Sequence, residues 1–368
     1  MYISKLAIHQ VRNISSMEIK PHPYCNIIVG ENGSGKSSIL EAIHVLGFGR
    51  SFRKSKIAEL IQFGCSELTV FATADIETSI DLIESSRFGI RKSKTGESEI
   101  RIQGNKARRL SQLSSQFPII SFTSDSLDLI DAGPSIRRRF IDWLVFHVKR
   151  DIEVAAIYRD FDKVLEQRNE ALKKGKRQEI RVWDPKLIEL NYQIAQMRSE
   201  IIEQLNSEMQ GYYPKIESKF SEVKSQLQYK QGWNSDLDYA LLLDNNLDMD
   251  IRRKSTSAGS HRDDIYFTLD EKPVKNILSR GESKRFVLAL LLSAERLIDK
   301  ANDKNCIWIF DDIAAELDLE SLKRTFSVSH DLKNQMFFTC IEKDLPLIQQ
   351  VIDYEHAVFH VKHGQLVN

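Results

Sequence analysis

The sequence predicts an α/β fold, a mixed sheet whose chain is interrupted by an inserted helical second domain. Three observations carry this. A β-like run, Asn26-Ile27-Ile28-Val29, passes through a glycine-rich loop into a helical stretch that starts at Ser37. An all-apolar run, Cys306-Ile307-Trp308-Ile309-Phe310, suits the buried centre of a parallel sheet. Between them, from about 135 to 225, charge and helical periodicity dominate.

Taken in order, Leu6-Ala7-Ile8 reads as the first strand. The helix after the glycine loop places Ile39, Ala42, Ile43 and Leu46 on one face. From Glu67 to Gln103 short β-like runs alternate, among them Leu68-Thr69-Val70-Phe71-Ala72 and Ser98-Glu99-Ile100-Arg101-Ile102. The character changes near Pro134. Val154, Ile157, Phe161 and Val164 keep helical spacing, and Lys173 to Arg177 reads as a turn. Asp184-Pro185 offers an N-cap followed by proline in the first helical position. Leu187, Leu190, Ile194, Met197 and Ile201 then follow at heptad-like steps. A short antiparallel arm with a helix of roughly 25 residues and a compact helical subdomain fit this pattern equally well. Strand character returns at Ile265-Tyr266-Phe267-Thr268-Leu269 and again at Phe337-Phe338-Thr339-Cys340-Ile341. The expected division is residues 1–135, a helical insertion over 136–258, and 259–368, the first and last forming one domain.

The chemistry starts at the glycine loop. Gly30-Glu31-Asn32-Gly33-Ser34-Gly35-Lys36-Ser37 matches GxxxxGK[ST], between a strand and a helix as the motif requires. Its glycines let successive N–H groups face phosphate oxygens, and the helix N-terminus adds positive potential. Lys36 is expected to neutralise the β- and γ-phosphates of ATP and Ser37 to bind Mg²⁺; Ser38 completes the nucleotide-binding run. The run Ile307 to Phe310 ends in Asp311-Asp312, a Walker B pattern. Asp311 is the second expected Mg²⁺ ligand, and Asp312 the residue that orients or deprotonates the attacking water. Lys36, Asp311 and Asp312 are thus the catalytic set.

Leu278-Ser279-Arg280-Gly281-Glu282 precedes a helix and makes an anion cradle, weak alone but strong before the Walker B run and Ala315-Glu316-Leu317-Asp318. The order Walker A, signature, Walker B, D-loop is that of an ABC-type ATPase head. Ser279 and Gly281 are the expected signature contacts to nucleotide.

These motifs, with Arg12-Asn13, Leu40-Glu41-Ala42-Ile43, Gly49-Arg50-Ser51-Phe52-Arg53, Gly133 to Asp142 and Ser260-His261-Arg262-Asp263-Asp264, make the sequence resemble the RecF family, relatives of the SMC and Rad50 heads. The resemblance covers nearly the whole chain. It implies an ATP-dependent homodimer with nucleotide sandwiched between two copies, Ser279 and Gly281 of one facing the γ-phosphate held by Lys36 of the other. It implies a slow ATPase clamp on double-stranded or gapped DNA, acting with RecO and RecR to direct RecA loading, in replication restart and SOS induction. It also implies a cytoplasmic, nucleoid-associated location, and a place for His261 near the nucleotide, with a structural role for that histidine an equal alternative. Thr339 falls where related ATPases carry a γ-phosphate sensor. Two departures stand out: Glu282 replaces the usual signature Gln, and 52 basic residues balance 52 acidic ones. DNA contact must then rest on local clusters: Arg53, Lys54 and Lys56; Lys106, Arg108 and Arg109; Arg137, Arg138 and Arg139; Arg252, Arg253 and Lys254. Arg137 to Arg139, beside a Gly-Pro turn, could equally pair with acids across the fold.

Composition trims the alternatives. The four cysteines form no CxxC pair, which argues against structural zinc and fits a reducing cytosol. No run reaches 18 apolar residues, so no membrane span is expected. His360 and His363 lack the neighbours a metal site needs. An ABC transporter subunit, an SMC-like tether and a nucleotide-gated binding module with little turnover remain as other readings. The first is disfavoured by the long stretch between Ser37 and Ser279, the second by an insertion too short for a long coiled coil.

Overall fold

The computed structural model describes residues 1–53, 55–77, 83–150, 152–217, 219, 222–302, 305–331 and 334–367. The chain divides into two compact units: Met1–Leu127 with Arg280–Asn368, and Asp128–Ser279. The sequence reading put the boundaries inside the second unit, at 135/136 and 258/259. Pairing accounts for the later of the two: strand Asp264–Leu269 joins Ser225–Lys230 within the second unit.

The first unit carries two sheets. In the mixed sheet the strand order is Gln365–Val367, His356–Lys362, Cys25–Val29, Gln335–Cys340, Ile307–Phe310, Ile119–Phe122. All its pairs are parallel except the first. Phe310 pairs with Phe338, and Val29 with Cys340, so the residues that follow these strands emerge along one edge. That edge is where open parallel sheets place their ligands. The second sheet is antiparallel, in the order Ile14–Ile19, Tyr2–Val11, Glu67–Glu77, Ile83–Ser93, Ser98–Ile102, Asn105–Ala107.

Helix Lys36–Phe48 packs with residues of both sheets in one core, which includes Ile8, Val70, Ile39, Ile43, Ile309 and Phe337. The sequence showed one apolar face on this helix. Nearly all of it is buried, including Glu41 and His44, because it is covered on more than one side. Gly47 follows from that packing: a Cβ there would lie 2.8 Å from Ile119 Cδ1.

The second unit is helical, with the small sheet Lys272–Pro273, Asp264–Leu269, Ser225–Lys230. Its main helices are Pro134–Lys149, Ile152–Lys174, Asp184–Ile216 and Tyr239–Arg253. Asp184–Ile216 runs 33 residues, longer than the periodicity suggested, and buries Leu187, Leu190, Ile194, Met197 and Ile201. Asp184 is not its side-chain cap; the N-cap is Trp183. The Asp184 carboxylate accepts instead from Nε of the fully buried Arg168 at 2.7 Å. Arg168 also donates to Asp250 and Thr256. A second buried arginine, Arg198, grips Asp142 with two bonds of 2.8 and 2.9 Å and donates to the Ser260 carbonyl and Asp263. A buried guanidinium is tolerable only when so many of its donors are paired.

Candidate nucleotide site

The site grows out of the sheet edge. Val29 leads into the loop, where Gly33 has φ +79° and Gly35 +118°, conformations that suit glycine. A Cβ on Gly30 would lie 2.3 Å from the Val361 carbonyl, so this position also excludes a side chain. Lys36 Nζ donates to the Gly30 and Glu31 carbonyls at 2.7 and 2.9 Å. Burial lowers the Lys36 pKa, and the carboxylates of Asp312 and Asp311 oppose that shift.

From the neighbouring strands come the acids and a hydroxyl. Ser37 Oγ donates to Asp311 Oδ1 at 2.7 Å, and Thr339 Oγ1 donates to the same oxygen at 2.9 Å. Thr339 Oγ1 in turn accepts the Asp312 N–H at 2.7 Å. Asp312 has φ +54°, a strained setting for a residue other than glycine. Burial first, and then Asp311, raise its pKa above the usual carboxylate range. A polar cavity of about 640 Å³ is lined by the loop from Asn32 through Ser38, apart from Ser34, and by Asp311, Asp312 and Thr339. A cluster of hydroxyl, carboxylate and lysine under backbone N–H groups suits a polyphosphate with a divalent cation.

Sequence reasoning found Lys36, Ser37, Asp311, Asp312 and Thr339, and they converge here. Gly30, Glu31 and Ser34 belong to the same loop but line a second cavity, of about 420 Å³, beside His360, Lys362 and His363. Gly281 is in the first turn of helix Arg280–Asn302 and does not line the 640 Å³ cavity. Ser279 is exposed and is the last residue of the helical unit. Glu282 is buried at the N-terminus of that helix, where the helix dipole favours a negative charge. The same helix reaches the D-loop through Lys284–Glu316 at 2.8 Å and Arg285–Asp318 at 3.3 Å.

The basic clusters separate. Arg53 Nη2 donates to Asp311 Oδ2 at 2.7 Å and lines the nucleotide cavity, while about half of its side chain stays exposed. Lys54 lies outside the described residues. Lys56 is exposed. Arg137 is committed to Asp264 by bonds of 2.8 and 3.1 Å. Arg138 donates to the Asp263 carbonyl at 2.6 Å. Arg137 thus spends several donors on partners inside the helical unit, and Arg138, half-buried, spends one. Arg139 is exposed, with one bond to the Ser135 carbonyl. Lys106, Arg108, Arg109, Arg252, Arg253 and Lys254 are exposed. His261 belongs to the helical unit; its Nε2 faces the Thr256 carbonyl at 2.9 Å, and burial lowers its pKa to about 4.

Other participants carried no role legible in the sequence. Asn13 Nδ2 donates to the Gly33 carbonyl and its Oδ1 accepts from Ser38, at 3.0 Å each. Arg12 grips Glu41 with bonds of 3.0 and 2.9 Å, and Ser51 donates to Glu41 as well. For Glu41 the available signals were its place in the run Leu40-Glu41-Ala42-Ile43 and an acid within a largely apolar helix. Among the described residues no cluster suits a bound metal of His, Cys, Asp and Glu ligands, and no helix is long and apolar enough to cross a membrane.

The comparisons agree with this geometry. The family model described as the RecF/RecN/SMC N terminal domain matches residues 2–365. A DNA replication and repair protein RecF from Shewanella sediminis is 34% identical over 371 residues, covering 100% of this chain and 99% of the relative. The protein of the same name from Shewanella halifaxensis is 34% identical over 369 residues, covering 99% of this chain and 97% of its own. Among solved structures, the recombination mediator protein RecF–ATP of the RecFOR pathway superposes with TM-score 0.86 at 24% identity, over 100% of this chain and 97% of that one. An Smc head bound to the C-winged helix domain of ScpA superposes with TM-score 0.59 at 18% identity, over 100% and 97%. At these identities the structural likenesses establish the fold: an α/β ATPase head with mixed sheets.

Proposed function

This chain belongs to the RecF family, and on that footing we propose that it is an ATP-gated DNA-binding protein of recombinational repair and replication restart. The observation that carries the nucleotide part is the convergence of Ser37, Thr339 and Asp311 beside Lys36. The RecF relatives of known structure were solved with ATP or ATPrS, which supports the same ligand here. In this reading the loop N–H groups and Lys36 hold the phosphates. Ser37 and Asp311 would hold Mg²⁺, which would supply positive charge against the phosphate oxygens. Asp312, with its raised pKa, accepts a proton from water more readily than an ordinary carboxylate and positions that water for slow hydrolysis. Ser279 and Gly281 of a second copy close over the γ-phosphate, and the closed homodimer clamps double-stranded or gapped DNA. RecO- and RecR-like mediators, RecA loading, SOS induction and a nucleoid-associated place in the cytoplasm complete the proposal. The transporter-subunit and tether readings are not favoured, because the matched relatives are RecF proteins over their full length.

The test is binding to a labelled duplex, with and without ATP and Mg²⁺, at two salt concentrations. Wild type is run beside Asp312→Asn. We expect ATP-dependent, salt-weakened binding that persists in the variant. ATP binding and dimerisation with no DNA affinity would overturn the clamp.

A further inference from the structure

Gly364 lies in the turn between His356–Lys362 and Gln365–Val367, the antiparallel pair at one edge of the mixed sheet. Its φ is +74°, and a Cβ there would lie 2.2 Å from the Asn13 carbonyl oxygen and 3.3 Å from Ile14 Cα. Both the conformation and the space therefore demand glycine. Its N–H donates to the Ser34 carbonyl in the phosphate loop at 2.7 Å. Asn13 holds the adjacent carbonyl, Gly33, at 3.0 Å. Two consecutive loop carbonyls are thus tied down from outside by two segments that touch each other.

The peptide bond is planar and trans, so a carbonyl and the following N–H point opposite ways. With the Ser34 carbonyl turned toward Gly364, the Gly35 N–H points away from the C-terminal turn. Gly35 itself lines the nucleotide cavity, whereas Gly364 does not. The turn therefore acts through the loop and not on the ligand.

We propose that the C-terminal turn around Gly364 is a positioning element for phosphate binding, setting the Ser34–Gly35 peptide so that its N–H serves the phosphate. This rests on the nucleotide reading above and adds to it the far end of the chain. The consequence is reciprocal. If the turn shapes the loop, then phosphate in the loop must stabilise the turn.

The experiment measures ADP affinity in the presence of Mg²⁺ for wild type, Lys36→Ala, Gly364→Ala and Gly96→Ala. ADP is chosen because it lacks the γ-phosphate on which the proposed dimer closes. Gly96 is the control: it has φ +91° with nothing within 4 Å of an added Cβ, so alanine there meets a similar backbone penalty without any clash. We expect Gly364→Ala to lose affinity about tenfold or more at a temperature where circular dichroism shows it folded. Gly96→Ala should stay within about twofold of wild type. Equal affinity for Gly364→Ala and wild type, or a parallel loss in both glycine variants, would overturn the positioning role. If Gly364→Ala does not fold, hydrogen exchange in the wild type decides: ADP should slow exchange across 356–367, and unchanged exchange there would sink the idea. Absent binding in wild type would instead remove the nucleotide reading itself.

Discussion

Each acidic or basic group in the site has its character set by what touches it. Lys36 is buried beside two carboxylates and held by two carbonyls, so replacing it removes the cation around which the loop is folded. Lys36→Ala should reduce ATP affinity at least ~100-fold, the scale of losing a buried charge-assisted contact of roughly 3 kcal/mol; titration calorimetry checks it. Asp312→Asn should keep ATP binding and slow turnover by roughly 100-fold or more. Normal turnover in that variant would remove Asp312 from the chemistry. Away from the phosphates, Glu295 is fully buried on the signature helix and accepts from Trp308 Nε1 of the Walker B strand at 2.9 Å. Burial raises its pKa to about 8. The folded chain then keeps a proton that the unfolded chain releases near pH 4. Its stabilising contribution is whole below about pH 4 and is lost as pH rises to about 8, a change on the order of several kcal/mol. Glu295→Gln should therefore gain melting temperature over wild type between pH 5 and pH 8, where the neutral amide no longer titrates. A difference that stays constant over that range would show that Glu295 does not carry this proton.

At the level of elements, charge partners decide which basic clusters are free. Arg137→Ala would leave Asp264 buried and unpaired, which costs about 3–5 kcal/mol. We expect a lower melting temperature for that variant with ATP affinity unchanged; unaltered stability would show that the pair is dispensable. This is also where the sequence was least legible. Strand, loop and helix around Lys36, and the strand before Asp311, were readable because each combines a strong local pattern with a motif of narrow chemistry. The burial of helix Lys36–Phe48 on more than one side was not, since periodicity reports an apolar face but not a second layer over the polar one. The pairing of Ser225–Lys230 with Asp264–Leu269 spans distant parts of the chain that no local signal joins. For Arg137 and Arg138 the sequence left a basic surface and pairing across the fold both open, because their partners, Asp264 and the Asp263 carbonyl, come from far along the chain. The Ser260-to-Asp264 run likewise turned out to be architectural: Asp263 and the Ser260 carbonyl serve Arg198, which also holds Asp142. Gly364 gave no signal, because a lone glycine near a chain end looks like any turn.

For the whole molecule, balanced formal charge means no long-range positive field draws DNA in. Arg53 bonds Asp311, and Arg137 and Arg138 bond Asp264 and the Asp263 carbonyl, whereas the clusters at Lys106, Arg108 and Arg109 and at Arg252, Arg253 and Lys254 are exposed. Lys56 and Arg139 are the exposed members left in the sets around Arg53 and Arg137, and a duplex that meets these and little else makes few contacts. A small set of contacts predicts a shallow salt dependence. Each phosphate neutralised contributes a slope of about −0.9 in log affinity against log salt. For about three contacts, raising salt fourfold should weaken binding about forty-fold, far less than a strongly basic protein would show. If Lys56 is one of them, Lys56→Ala should make the slope shallower by about 0.9 and weaken binding alike on all sequences, since phosphate contacts carry no base information. ATP affinity should not move, because Lys56 does not line the nucleotide cavity. Fluorescence anisotropy at a series of salt concentrations measures both slope and intercept. An unchanged slope in Lys56→Ala would take that residue out of the DNA surface, and a steep wild-type slope would mean that the exposed clusters around Lys106 and Arg252 meet the backbone as well.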